Sequence, residues 1–190
     1  MVKFYQMGDL PKNAVKMNTP VSMELMMKQA SPIAIILCVF MSGIMVGKTC
    51  MNHAMVISPV FIIVGFGIGF LLLPVHEYLH GIIYPKQAEV TIGKIKKSIT
   101  FVALASYPLE RKRFILMSLL PFVLGIVPLV LFIVSAPDNL IFNGLMFGMA
   151  CMGMVSPFPD VFNIYLVLKQ TNKGDSVMFY EDDMYCIPGL

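Results

Sequence analysis

Apolar residues gather into four long runs, each with the length needed to cross a membrane. A helix crosses the hydrocarbon core with about 20 apolar residues. The runs predict four membrane-spanning helices over residues 31–47, 57–75, 114–136 and 140–168. Only the last run contains a charged residue, Asp160. We expect this helix to break at Pro157 and Pro159, because proline lacks a backbone N–H and clashes with the preceding turn.

Two shorter patterns lie outside these runs. Residues 89–107 are rich in Val, Ile, Thr and Phe and predict a short β-hairpin at the inner membrane surface. Residues 19–30 predict an amphipathic helix at the interface. The predicted fold class is therefore an all-α membrane protein with about four transmembrane helices and a short β-prone cytoplasmic segment between spans two and three. Its parts are an N-terminal segment (1–30), a four-span domain (31–168) and a cytoplasmic tail (169–190).

The composition supports a membrane protein. Of the 190 residues, 57% are hydrophobic and 13% are charged. A soluble domain carries about 25% charged residues. A water-soluble fold of this size cannot bury so much apolar surface, which excludes an ordinary soluble enzyme as well as a disordered chain.

The positions of Lys and Arg predict the orientation. The N-terminal segment contains four, the loop after span one contains one, the segment between spans two and three contains seven, the next turn contains none and the tail contains two. Because cytoplasmic loops carry an excess of Lys and Arg, we expect a multi-pass protein of the cell membrane with both termini in the cytoplasm. The net charge of +3 then reflects basic loops beside an anionic leaflet of the lipid bilayer, and no nucleic-acid partner is expected.

Two of the three histidines occur in one string at the end of the second run, His76-Glu77-Tyr78-Leu79-His80. Residues four apart lie on the same face of a helix. Two imidazoles placed in this way can bind one Zn²⁺, and the glutamate beside them can act as a general base toward water. The alternative is a solvated helix end at the membrane surface, which would not require the pair of histidines with Glu77 between them.

A catalytic zinc site usually has three protein ligands, so a third is needed. His53 lies in the loop at the opposite side of the membrane, a full span away. Asp160 lies in an apolar run, where an ionisable group is costly and indicates a function. Its depth matches that of His76, because Ile57 to His76 covers ~28 Å of helix and Leu140 to Asp160 covers ~30 Å. We expect Asp160 to be the third ligand. A helix-capping carboxylate is the alternative, and the two roles are compatible.

Asn163 follows Asp160 by one helical turn on the same face. Its amide can donate a hydrogen bond to a carbonyl or an oxyanion, and plain hydrogen bonding between helices is equally open. The predicted site therefore has His76, His80 and Asp160 as metal ligands, with Glu77 and Asn163 as catalytic residues.

The string at 76–81, the β-prone basic segment and the late Asp160 together resemble the membrane zincins. The broad resemblance is to intramembrane metalloproteases of the site-2 protease type. The closer one is to small four-span bacterial and archaeal proteins described as putative zincin peptidases of unknown function, and it covers about residues 34–169. The resemblance implies zinc held by the two histidines and Asp160, Glu77 as catalytic base and acid, and peptide-bond hydrolysis in or beside the membrane. Site-2 proteases typically have Gly after the ligand Asp, whereas Val161 stands here.

Two functions of different classes follow from these residues. The first is a zinc metallopeptidase that hydrolyses a membrane-associated or transmembrane protein near the cytoplasmic face. The second is a non-catalytic metal-binding membrane protein, a sensor or scaffold. A transporter is disfavoured because the spans contain almost no polar residues besides Asp160.

Overall fold

The computed structural model describes residues 10–94, 101–181 and 183–189, and most of these residues are helical. The helices are α1 (Met23–Asn52), α2 (Pro59–Leu71), α3 (Leu73–Gly81), α4 (Arg111–Leu119), α5 (Val123–Val134), α6 (Leu140–Val155) and α7 (Phe158–Gln170). The strands are β1 (Val15–Lys16), β2 (Thr91–Lys94), β3 (Phe101–Leu104), β4 (Leu109–Glu110), β5 (Ser176–Tyr180) and β6 (Asp183–Ile187).

Four helical stretches are long and apolar enough to cross a membrane, as the hydrophobic runs predict. They cover Met23–Asn52, Pro59–Gly81, Arg111–Val134 and Leu140–Gln170. This architecture fits a multi-pass membrane protein. The first stretch begins earlier than predicted, because the segment expected to form a separate interfacial helix, 19–30, continues from Met23 into α1 without interruption.

Three of these stretches are divided by short irregular segments. The second changes from α2 to α3 at Leu72, and the third contains a 3₁₀ turn over Leu120–Phe122. The fourth breaks between Val155 and Phe158, which confirms the break predicted from the two prolines. The last break begins the helix that carries Asp160.

The all-α prediction is incomplete, because the described residues also form antiparallel sheet. Strands in the order β1-β6-β5-β4 make a four-stranded sheet in which Val15 lies opposite Cys186 and Leu109 lies opposite Val177. Its strands have only two to five residues and come from both ends of the chain. Strands this short, paired over such separations, leave no local sequence pattern, which is why they are missed.

The strand pair predicted over 89–107 is confirmed. Strands β2 and β3 are antiparallel, with Thr91 opposite Leu104 and Lys94 opposite Phe101. Residues 95–100, which connect the two strands, lie outside the described residues.

The chain divides into two compact units, and the first combines the sheet with helices. It comprises the chain up to Lys28, Pro74–Leu120 and Pro159–Leu190. Its core unites side chains of the sheet with those of α4 and α7. The buried members are Met17, Leu109, Phe114, Met117, Val167, Val177, Met184 and Cys186.

One buried carboxylate fastens the end of the chain to the start of the sheet hairpin. Asp175 accepts hydrogen bonds from the backbone N–H groups of Asn172 (2.6 Å) and Gly189 (3.1 Å). Its own carbonyl accepts from the N–H of Arg111 (2.9 Å). Because the N–H groups of Asn172 and Gly189 stabilise the charged form, they hold the pKa of Asp175 below its usual value.

The second unit, Gln29–Leu73 with Pro121–Phe158, packs apolar helices through glycines. Helices α2 and α6 approach so closely that a Cβ at Gly148 would overlap the carbonyl oxygen of Ile62. A Cβ at Gly65 would likewise overlap the carbonyl oxygen of Leu145. Such small residues allow close backbone contact where water cannot drive helices together.

A lysine near the end of α1 connects three helices of this second unit. The Lys48 ammonium donates to the carbonyl of Phe132, to the carbonyl of Ser135 (2.9 Å) and to the side-chain oxygen of Asn143 (3.3 Å). It also lies 4.6 Å from the ring centroid of Phe132. Phe132 lies in the last turn of α5 and Ser135 directly follows it, and at such a helix end the carbonyls lack helical donors and favour a positive charge.

Candidate metal centre

The short helix α3 carries the histidine string. Pro74 lies in its first turn, where the missing N–H costs nothing, and Gly81 is its last residue. The four-residue spacing places His76 and His80 on one buried face, with ring centroids 4.9 Å apart. Tyr78, between them in sequence, points to the exposed side. The spacing alone therefore produces a paired imidazole site.

Asp160 completes a cluster with the two histidines. It lies in the first turn of α7, just after the helix break. Its Oδ2 is 3.3 Å from Nε2 of His76, and its Oδ1 is 3.5 Å from Nε2 of His80. The two Nε2 atoms are 3.2 Å apart. The structure thus brings together the three residues predicted as metal ligands. The first-turn position also places Asp160 where a helix favours a negative charge, so the two roles considered for it are compatible.

A backbone carbonyl orients the second histidine. Nδ1 of His80 lies 3.0 Å from the carbonyl oxygen of Met117 on α4. Because a carbonyl can only accept, Nδ1 carries the proton and donates it. The Nε2 atom of a neutral ring then presents its lone pair to Asp160 and His76. Metal-binding histidines almost always have such a partner on the other ring nitrogen, which sets the tautomer.

The spacing of the donor atoms fits a divalent metal such as Zn²⁺. Ligand bonds of 2.0–2.1 Å at tetrahedral angles place neighbouring ligand atoms about 3.3 Å apart. The two Nε2 atoms are 3.2 Å apart, and each faces a different oxygen of Asp160, at 3.3 Å from His76 and 3.5 Å from His80, so each facing pair lies close to this value. Two imidazole nitrogens and one carboxylate are also a donor set that zinc accepts. The residues therefore fit zinc: His76, His80 and Asp160 would hold the ion, which would supply Lewis acidity toward water or a substrate carbonyl.

The cluster is enclosed but accessible. The side chains of His76 and His80 are 8% and 9% exposed, and that of Asp160 is 20% exposed. A carboxylate so far removed from water needs a positive partner, either a proton on an imidazole or a cation. Burial with a remaining opening is the arrangement in which a bound metal can meet a substrate.

The two predicted catalytic residues lie on the helices that carry the ligands. Glu77 is half-buried on α3, and its carboxylate lies within electrostatic range of His80. Asn163 is half-buried on α7, one turn after Asp160. His53, which the predicted topology excludes as a ligand, is exposed near the end of α1 and does not belong to the cluster.

A contact from α4 that the sequence did not reveal supports the end of the histidine helix. Arg113 donates from Nε to the carbonyl of Ile83 (2.7 Å), one turn of α4 before the carbonyl that orients His80. The two contacts hold residues 80–83 against one face of α4. No side-chain pattern predicts them, because both acceptors are backbone carbonyls.

Comparison with known proteins identifies the family. Residues 69–175 match the model of the family described as "Putative zincin peptidase". No curated protein and no solved structure matches the chain. The matched segment covers more than half of the chain and contains His76, His80 and Asp160. The chain therefore belongs to this family.

Proposed function

We propose that this protein is a zinc-dependent metallopeptidase of the cell membrane that hydrolyses peptide bonds in membrane-associated or transmembrane proteins near the cytoplasmic face. The observation that carries the proposal is the cluster of His76, His80 and Asp160, whose facing nitrogen and oxygen atoms lie 3.2–3.5 Å apart, close to the separation of zinc ligands. Two members of the cluster lie on the same helix as Glu77, and the chain belongs to the family described as "Putative zincin peptidase". Both points favour catalysis over metal storage.

Each residue of the site has a defined task in this proposal. His76, His80 and Asp160 hold the metal, and a bound Zn²⁺ supplies Lewis acidity and lowers the pKa of water. Glu77 takes the proton of the attacking water and returns it to the leaving amine nitrogen. The Asn163 amide donates a hydrogen bond to the negative charge that develops on the scissile carbonyl oxygen. The Met117 carbonyl keeps the His80 ring in the tautomer that the metal requires.

The β2–β3 hairpin offers a place for an extended substrate. Among the described residues, these two strands form a separate two-stranded sheet, so its outer edges have no further strand. An extended peptide adds to such an edge through backbone hydrogen bonds. A helical substrate would have to unwind first, which also exposes the bond to be cleaved.

The decisive variant is Glu77→Gln, which removes the base and keeps the shape of the side chain. We expect zinc content, measured by elemental analysis of the purified protein, to remain at the wild-type level. Hydrolysis of quenched fluorescent membrane peptides should fall about 10²–10⁴-fold, the usual contribution of a general base.

Glu89→Gln is the matched control, because Glu89 is an exposed glutamate outside the cluster. It should leave both hydrolysis and zinc content unchanged. If wild-type protein binds zinc but Glu77→Gln changes no measured property, the site has a non-catalytic role as a sensor or scaffold, and the peptidase proposal is wrong.

A further inference from the structure

A cavity lies in the first unit, at the start of the third candidate membrane span. Its volume is about 240 Å³. It is lined by Pro85, Tyr107, Pro108, Leu109, Glu110 and Arg113. Pockets for drug-sized ligands begin at about 300 Å³, so this cavity suits a smaller chemical group.

The cavity contains two opposite charges that do not neutralise each other. Arg113 donates from Nε to the Ile83 carbonyl, and within the described residues its outer guanidinium nitrogens make no hydrogen bond. Glu110 is the residue before α4, and its side chain does not cap that helix. Within the part of the chain that the structure describes, no ion pair joins the two side chains. A ligand that fits both must itself carry a negative and a positive group.

The position along the chain indicates where this ligand comes from. The third candidate span begins at Arg111, so Glu110 and Arg113 lie at its first turn. The first turn of a membrane span lies at the level of the lipid headgroups. Tyrosines such as Tyr107 are also enriched at that level.

We propose that the cavity binds the headgroup of a zwitterionic phospholipid of the ethanolamine class. The phosphate pairs with the guanidinium of Arg113, which matches phosphate oxygens in geometry and charge. The ammonium group pairs with the carboxylate of Glu110. The proline and tyrosine side chains form the apolar wall beside the short carbon chain of the headgroup.

A peptide strand is the less suitable occupant. Strand β4 forms the edge of the four-stranded sheet at this cavity, but it has only two residues. Pro108 precedes it and lacks the N–H that a pairing strand requires. Short edges with proline prevent strand addition.

The test uses the full-length protein in detergent, incubated with equal amounts of phosphatidylethanolamine and phosphatidylglycerol of identical acyl chains. Bound lipid is counted by native mass spectrometry. Wild-type protein should retain the ethanolamine lipid preferentially. Glu110→Gln should remove that preference, and Arg113→Gln should weaken retention of both lipids, each by about tenfold for one lost charged hydrogen bond. Lys112→Gln is the control, because Lys112 is exposed on the same turn but does not line the cavity.

Two further measurements make the outcome decisive. Arg113→Lys keeps the positive charge, so this variant should retain more lipid than Arg113→Gln. An unchanged zinc content of the Arg113→Gln protein shows that folding does not need the contact with Ile83. Soluble phosphoethanolamine should displace the lipid at lower concentration than inorganic phosphate.

Three results would overturn the proposal. If the wild type and Glu110→Gln retain the ethanolamine lipid equally, the cavity does not recognise the ammonium group and is only part of a basic surface. If inorganic phosphate displaces the lipid at the same concentration as phosphoethanolamine, the cavity is a site for anions in general. If the Glu110 and Arg113 variants raise the KM for peptide hydrolysis but retain lipid as the wild type does, the cavity binds peptide substrate. The first two results concern lipid binding alone and do not depend on whether the metal site is catalytic.

Discussion

Replacing Asp160 tests the arrangement of the metal site most directly. It is the only negatively charged member of the cluster and contributes one of three donor groups. Zinc bound by four ligands in small domains contributes about 10–16 kcal/mol, or about 2.5–4 kcal/mol per ligand. At 1.4 kcal/mol for each tenfold change, Asp160→Ala should raise the Kd for zinc by about 10²–10³-fold.

The assay is a titration of chelator-stripped, purified protein with Zn²⁺ against a competing fluorescent chelator. Asp138→Ala serves as the control, because Asp138 is exposed and lies outside the cluster. Asp160→Asn keeps the size and shape of the side chain but removes its charge and its carboxylate donor. We expect Asp160→Asn to lose most of the affinity. A Kd that rises less than about threefold in Asp160→Ala would refute the ligand assignment, because a ligand contributes at least about 2.5 kcal/mol.

Three predictions concern stability, each measured by thermal unfolding in detergent. Lys48→Met should lower the free energy of unfolding by about 2–3 kcal/mol, because buried carbonyls and the Asn143 amide lose a charged donor. Lys169→Met changes an exposed position and should have little effect. Gly148→Ala should destabilise the protein although Ala favours helices, because its Cβ would overlap the backbone of the neighbouring helix at Ile62. Gly43→Ala is the control: its Cβ meets open space, so the variant should be neutral or stabilising. Asp175→Asn should lower Tm above pH 4. Because the folded-state pKa of Asp175 is depressed, the difference from wild type should be constant above the unfolded pKa of about 4 and should shrink as pH falls through the lower folded pKa. A difference that grows on acidification would contradict this assignment.

Much of the metal site follows from local sequence, and the distances agree with it. The spacing of His76 and His80 places both rings on one helical face wherever the helix packs. The rise per residue along two spans also predicts that Asp160 reaches their depth, and the cluster forms there. Both inferences succeed because they use only the geometry of a helix. In a membrane the backbone groups have no water to bond with, so an apolar span must form a helix to pair them.

The remaining support of the site depends on contacts between distant segments. The four-stranded sheet joins residues near Val15 to residues near Cys186, and its core includes Met117, whose carbonyl orients His80. A backbone carbonyl is identical in every residue, so no residue type marks it in the sequence.

The sequence by itself determined the apolar spans, the helix break and the three residues that form the cluster, because these depend on composition and on the geometry of single helices. Only the tertiary structure decided the carbonyl that orients His80, the distances within the cluster and the cavity that Arg113 and Glu110 line. These properties depend on distances between atoms far apart in the chain, and packing sets such distances after every local preference has been satisfied.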